Sequence, residues 1–282
     1  MIVTHPGGAH KDDLLAVSCL VATFGCPVER REPTAEDLAD GQIAVVDVGG
    51  RHEREQLNFD HHQFPREEEP LCALSLVLQY LGVYEDALQF CDWLKTLEWM
   101  DCRGPLETGK FLGLSRETLA KLNSPIDIFL IRQFGEIERV APGDSYWEFL
   151  RNLGADLLQY IRGLRERIRI LEERCELWEL PVPGGGTAVF LEKTDGEEGT
   201  STMGIGFLVQ SKGLTEQCLA VITPDSRGEG YALKRFNDHP RVNFSRIADE
   251  EDVRFAHAGG FVAKTDAVDP VRLRELLLQA IE

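Results

Sequence analysis

The chain has 282 residues, 43% of them hydrophobic, which suffices for two ordinary domains each with its own core. Its formal charge, 30 − 48 = −18, argues against broad nucleic-acid binding through a basic face, although bound cations could still receive a phosphate. Seven cysteines (19, 26, 72, 91, 102, 175, 218) form no C-x-x-C pair, which argues against a structural zinc site and suggests reduced thiols; with no signal-like leader and no apolar run of ~18–20 residues, a soluble cytoplasmic protein is expected.

In chain order, residues 1–4 are a short apolar run stopping at His5-Pro6-Gly7-Gly8-Ala9-His10, the pattern of a strand and a tight loop. Residues 11–24 carry Leu14, Leu15, Val17, Leu20 and Val21 at helical spacing, with Asp12 and Asp13 in the first turn and Gly25-Cys26-Pro27 as the stop. Residues 43–48 read as a buried parallel strand broken by Gly49-Gly50, and residues 56–59 as a short strand delivering Asp60-His61-His62. Helices are expected at 72–81 and 84–101. This alternation predicts an α/β fold with a parallel sheet and helices on both faces. Functional loops of such sheets gather at the carboxyl ends of the strands, where His5, Asp47 and His61 stand.

A further helix is predicted at 124–134. A long one follows, capped by Asp144-Ser145, with Leu150, Leu153, Leu157, Ile161, Leu164, Ile168, Leu171 and Cys175 at spacings of three and four until Pro181 and Pro183. At about 35 residues it would span roughly 50 Å. It could join two domains or, alternatively, pair as a coiled-coil homodimer. Strands are expected at 187–192, 218–223 and 231–236. The compact motif Phe255-Ala256-His257-Ala258-Gly259-Gly260-Phe261 comes next, then a final helix from Asp269-Pro270 through Leu273, Leu276, Leu277 and Ile281. The organisation this predicts is a metal-binding catalytic domain (1–143), a long linking helix (144–181) and a smaller α+β substrate-binding domain (182–282).

His5 and His10 flank a Gly-Gly turn, and Asp12 lies two residues on. Asp47 ends an apolar run, so its two oxygens could bridge a pair of divalent cations ~3.5–4 Å apart. His61 and Asp101 would complete the cage. Each residue alone has a plainer reading: a loop histidine, a helix cap, a turn aspartate, a helix end. It is their joint occurrence that points to metal. Asp13 is left as a cap or a partner to a ligand. Arg235 could fork onto a phosphate and Gly259-Gly260 could bring backbone N–H groups to an anion beside His257. The alternatives are a surface ion pair and a plain hairpin turn.

Thr4-His5 with His10-Lys11-Asp12-Asp13, Val46-Asp47-Val48-Gly49-Gly50, Phe59-Asp60-His61-His62-Gln63 and the Phe255–Phe261 motif together resemble the DHH phosphoesterase superfamily. Most similar is its melanocyte-proliferating-gene family of metal-dependent hydrolases and 3′-to-5′ exonucleases. The resemblance implies two divalent cations, manganese foremost and magnesium second. His5, His10 and Asp47 would hold one; Asp12, Asp47, His61 and Asp101 the other. His62 would touch the scissile phosphate, and Asp60 would hold an imidazole in its tautomer. The wider superfamily has Asp where His10 stands.

The activity implied by the resemblance is that of a phosphodiesterase acting on short RNA, DNA or oligonucleotides. Short substrates suit the acidic surface, since no basic track with interleaved aromatics is present. A pyrophosphatase or polyphosphatase is the second reading, for which Lys234 and Arg235 are a thin cationic set. A non-catalytic metal-binding scaffold is the third.

Overall fold

The computed structural model describes residues 1–193 and 204–282. The chain divides into two compact units, Met1–Gly163 and Leu164–Glu282, and none of the described helices is long and apolar enough to cross a membrane.

The first unit opens with β1 (Ile2–Thr4), then α1 (Lys11–Phe24), β2 (Val28–Arg30), α2 (Ala35–Ala39), β3 (Ala44–Val46), β4 (His52–Glu53) and β5 (Asn58–Phe59). Its helical part is α3 (Ala73–Tyr80), α4 (Tyr84–Phe90), α5 (Trp93–Leu112), α6 (Arg116–Ala120) and α7 (Pro125–Gly135), followed by β6 (Arg139–Val140) and the long α8 (Ser145–Arg174). The sheet runs β4-β5-β3-β1-β2-β6. The inner strands β5, β3, β1 and β2 pair in parallel, as expected, while both edges, β4 and β6, are antiparallel.

β1 and β3 are buried at every position, which is why Ile-Val-Thr and Ala-Val-Val form strands despite their shortness. Their register sets Thr4 beside Val46 and Val46 beside Phe59. The residues that leave these strands, His5, Asp47 and Asp60, therefore emerge side by side.

α1 packs Leu14, Val17, Leu20 and Val21 into the core, each such side chain worth about 1.5–3 kcal/mol on burial. It starts where Asp13 Oδ1 accepts the His10 N–H at 2.8 Å and ends at Gly25, whose φ of 66° suits glycine. Gly154 of α8 lies so close to α1 that a Cβ there would collide with the Ser18 carbonyl.

Several predicted spans are corrected. The helix expected at 84–101 is two, separated at Cys91-Asp92, and α5 runs on to Leu112 with a break at Gly104 (φ 77°, ψ 173°) before Pro105. The linking helix predicted for 144–181 ends at Arg174, and Cys175–Glu179 form a strand instead. Cys175 stands four residues after Leu171, so the apolar spacing carries across the change of structure without a break. The boundary between the two units falls inside α8.

The second unit continues with β7 (Cys175–Glu179), β8 (Thr187–Leu191), α9 (Ile205–Ser211), β9 (Cys218–Pro224), β10 (Tyr231–Arg235), β11 (Val253–Ala256), β12 (Val262–Thr265) and α10 (Pro270–Gln279). Its sheet runs β11-β12-β10-β9-β8-β7, with only β8 and β9 parallel. Along β8, Ala188 and Phe190 enter one apolar cluster with Leu273 and Leu276 of α10, whereas Val189 and Leu191 enter another with Ile205 and Leu208 of α9. The period-two alternation thus buries both faces of the sheet under helices. This is the α+β part expected after the long helix.

Candidate metal centre

The loops after β1, β3 and β5, the start of α1 and the last turn of α5 before its break bring His5, His10, Asp12, Asp47, His61 and Asp101 together. His61 Nε2 lies 3.0 Å from Asp47 Oδ1 and 2.9 Å from Asp101 Oδ2. His5 Nε2 lies 3.5 Å from Asp47 Oδ2, so the two oxygens of Asp47 face two different imidazoles. His10 Nδ1 is 3.5 Å from Asp101 Oδ1. Ligand atoms of His5, His10 and Asp47 lie within 4.8 Å of one another, and so do those of His10, Asp12 and Asp101. His10 therefore stands between the two ligand sets that the sequence separated.

Backbone conformation aims these groups. Asp47 has φ +57°, in the left-handed region that Asp and Asn tolerate better than other side chains, and its N–H donates to the Phe59 carbonyl. Asp12 Oδ2 accepts the N–H of Ala73 at the start of α3. Asp60 Oδ2 accepts from the Gly50 N–H at 2.6 Å, and its Oδ1 lies 2.7 Å from His62 Nδ1 while accepting the His62 N–H. Asp60 thus orients His62, whose side chain is 63% exposed. A cavity of about 360 Å³ opens among His5, His10, Asp47, Asp60 and His62.

Sequence reasoning left Asp13 open and missed Cys102 and Arg30. Asp13 is both cap and partner: its Oδ1 accepts from the His10 N–H, and its Oδ2 sits 3.0 Å from His5 Nε2. Behind it lies the buried Arg30, with Nη2 at 3.8 Å from Asp13 and the guanidinium over the Phe134 ring. Cys102 Sγ is 3.5 Å from His61 Nδ1. Asp13 had a signal in the sequence, an acid three residues after a helix start; Arg30 and Cys102 had none.

The electrostatics call for added positive charge. Burial, then the carboxylates of Asp47 and Asp101, push Asp12 well above the ordinary carboxylate range; burial likewise raises Asp47. Burial alone would lower His61, but Asp101 and Asp47 outweigh it and raise the imidazole to about 12. The close contact with Asp13 raises His5 against the opposing effect of burial. Asp60 goes the other way: burial would raise it, but donors from His62 and Gly50 hold it below the usual value. Protons accumulate where the acids crowd.

The donor set fits divalent cations. His5 Nε2, Asp12 Oδ1, Asp13 Oδ2, Asp47 Oδ1 and His61 Nε2 are buried without a well-formed hydrogen bond, and the ion-pair contacts of His5, Asp13, Asp47 and His61 are among themselves and with His62, Asp101 and Arg30. Orphaned buried acceptors are costly unless something satisfies them. Carboxylate oxygens with imidazoles suit hard or borderline metals.

Arg235, His257, Gly259 and Gly260 lie in the second unit. Arg235 pairs with the exposed Asp238 at 2.8 Å, and its Nε is buried without a partner. His257 Nδ1 accepts the Gly259 N–H at 2.9 Å, and the Gly260 N–H bonds to the His257 carbonyl in the turn between β11 and β12. Gly260 has φ +69°, and a Cβ on it would strike Asn243.

The sequence profile MYG1_exonuc, described as "Uncharacterised protein family (UPF0160)", matches residues 1–80. No curated protein matches the chain. A solved structure titled "Member of s1p family of ribosomal proteins PF0399 DHH domain" aligns with 100% of this chain and 87% of its own, at 14% identity and a TM-score of 0.34. Residues 1–80, the span over which the chain resembles that family, supply every expected ligand but Asp101.

Proposed function

We propose that the protein is a metal-dependent phosphodiesterase that hydrolyses short nucleic acids or oligonucleotides from an end, as a 3′-to-5′ exonuclease would. The observation that carries this reading is the crowding of imidazole nitrogens and buried carboxylate oxygens, within 4.8 Å of one another in each ligand group, at the carboxyl ends of β1, β3 and β5. The name of the matching profile, with its "exonuc", agrees with it.

His5, His10 and Asp47 would hold one cation and Asp12, Asp47, His61 and Asp101 a second, with manganese favoured over magnesium. Such ions would polarise the phosphate and lower the pKa of water. The chain's own residues do the rest. Asp60 keeps a proton on His62 Nδ1, which leaves Nε2 of that exposed ring for the substrate. His62, as a hydrogen-bond donor, would contact a non-bridging phosphate oxygen or the departing oxygen. Asp13 braces His5. In the second unit, Arg235 keeps the bidentate donor chemistry that suits a phosphate, whereas the N–H groups of Gly259 and Gly260 are already bonded to His257 within the turn.

The test is hydrolysis of a short RNA, of pyrophosphate and of a nitrophenyl phosphodiester in the presence of manganese. The RNA and the diester should be cleaved. Asp47→Asn and His61→Ala should each lose activity by about 100-fold or more with the far-UV spectrum unchanged. Cleavage of pyrophosphate alone would favour a pyrophosphatase, silence on every substrate a scaffold, and full activity in either variant would remove the site.

A further inference from the structure

A second opening of about 240 Å³ adjoins the cluster and is lined in part by His10, His61, His62 and Asp101. That is below the ~300–1,000 Å³ of common ligand sites, so it suits part of a nucleotide. Its lining includes the apolar side chains of Phe64 and Leu71 and the guanidiniums of Arg66 and Arg103. In a chain of net charge −18, two guanidiniums at the mouth of a carboxylate cluster need an explanation.

Arg103 is pre-set. It closes the last turn of α5 before the Gly104 break, and it donates to the carbonyls of Cys102 (3.2 Å) and Glu68 (2.7 Å). Two backbone contacts hold the fork in place, and a guanidinium has five N–H donors, so three remain for an anion. Arg66 is exposed and makes no ion pair or hydrogen bond among the described residues. Neither role is needed for metal ligation.

The geometry points to this groove as a phosphate subsite: Arg103 and Arg66 clasp one phosphate of a nucleotide whose sugar and base lie against Phe64 and Leu71. Glu69 also lines the groove and follows Glu67 and Glu68, so a second phosphate beyond the first meets carboxylates. The subsite admits a terminal or mononucleotide unit and disfavours a continuing strand. As a substrate subsite it rests on the phosphodiesterase reading; as an anion site it stands alone.

The test is binding of a nucleoside monophosphate, and of the same nucleoside without phosphate, to the manganese-loaded full chain. Manganese affinity is followed in parallel. Arg103→Gln and Arg66→Gln should each weaken the monophosphate by roughly tenfold, leave the nucleoside unchanged and leave manganese affinity unchanged. Arg103→Lys should recover part of the loss. The inference is overturned if the wild type binds no monophosphate or if both Gln variants bind it as the wild type does. It is also overturned if Arg103→Gln acts only by lowering manganese affinity while Arg66→Gln has no effect. Intact monophosphate binding with no phosphodiester hydrolysis would remove the proposed function and leave the subsite standing.

Discussion

Asp47 shows how a single residue can be costly to the fold and required at the site. It occupies the left-handed region, is almost fully buried, and faces Asp12, Asp13 and Asp101 as well as the imidazoles of His5, His61 and His62. Its raised pKa means that the ionised carboxylate is disfavoured where it stands. Asn keeps the shape and tolerates the same φ. In metal-free protein, Asp47→Asn is therefore expected to raise the unfolding midpoint, by the equivalent of about 1 kcal/mol near pH 7; an unchanged or lowered midpoint would contradict the crowding. The expected ligands were legible because each follows an apolar run or a glycine turn. Arg30 and Cys102 were not, because their importance comes from contacts with Asp13 and His61 that no local pattern announces.

Elements were legible where apolar periodicity is long, as in α1, α3, α8 and α10, and illegible where a short element is also charged. β2 has three residues, two of them charged, and is a strand only because β1 and β6 flank it. α2 has five residues and is held by its start. Thr34 Oγ1 accepts the Asp37 N–H, Asp37 Oδ2 accepts the Thr34 N–H, and Arg31 forks onto the same carboxylate at 2.7 and 3.1 Å. The Arg31 hydrogen bonds, outweighing burial, hold Asp37 well below the carboxylate range. A depressed folded-state pKa contributes stability above the unfolded value of ~3.9 and loses it as pH falls through the lower folded value. With Arg31 at 35% exposure screening the pair, Asp37→Asn should cost about 1 kcal/mol at pH 7. The gap from wild type should close as denaturation is repeated from pH 4 downward; a gap constant with pH would refute the linkage.

At the scale of the molecule, the acids of the cluster add to a chain already at −18, so cations should act on the whole first unit. Manganese at ~100 times its dissociation constant should stabilise that unit by about 2.7 kcal/mol, raising its calorimetric transition, and a chelator should reverse the gain. Because Asp12, Asp47 and His61 all hold protons more firmly than usual, loading should release protons and tighten as pH rises. Loading without either effect would mean that the metal binds elsewhere.

The close approach of Gly154 to Ser18 limits what the chain can become. The first turn of α1 carries Asp12 and Asp13, so any side chain at 154 would have to lever the rod that carries two of the acids. Drift along α8 is free on its outer face but has one permitted letter at that crossing. A library randomised there should return glycine alone, whether survivors are picked for heat tolerance or for turnover.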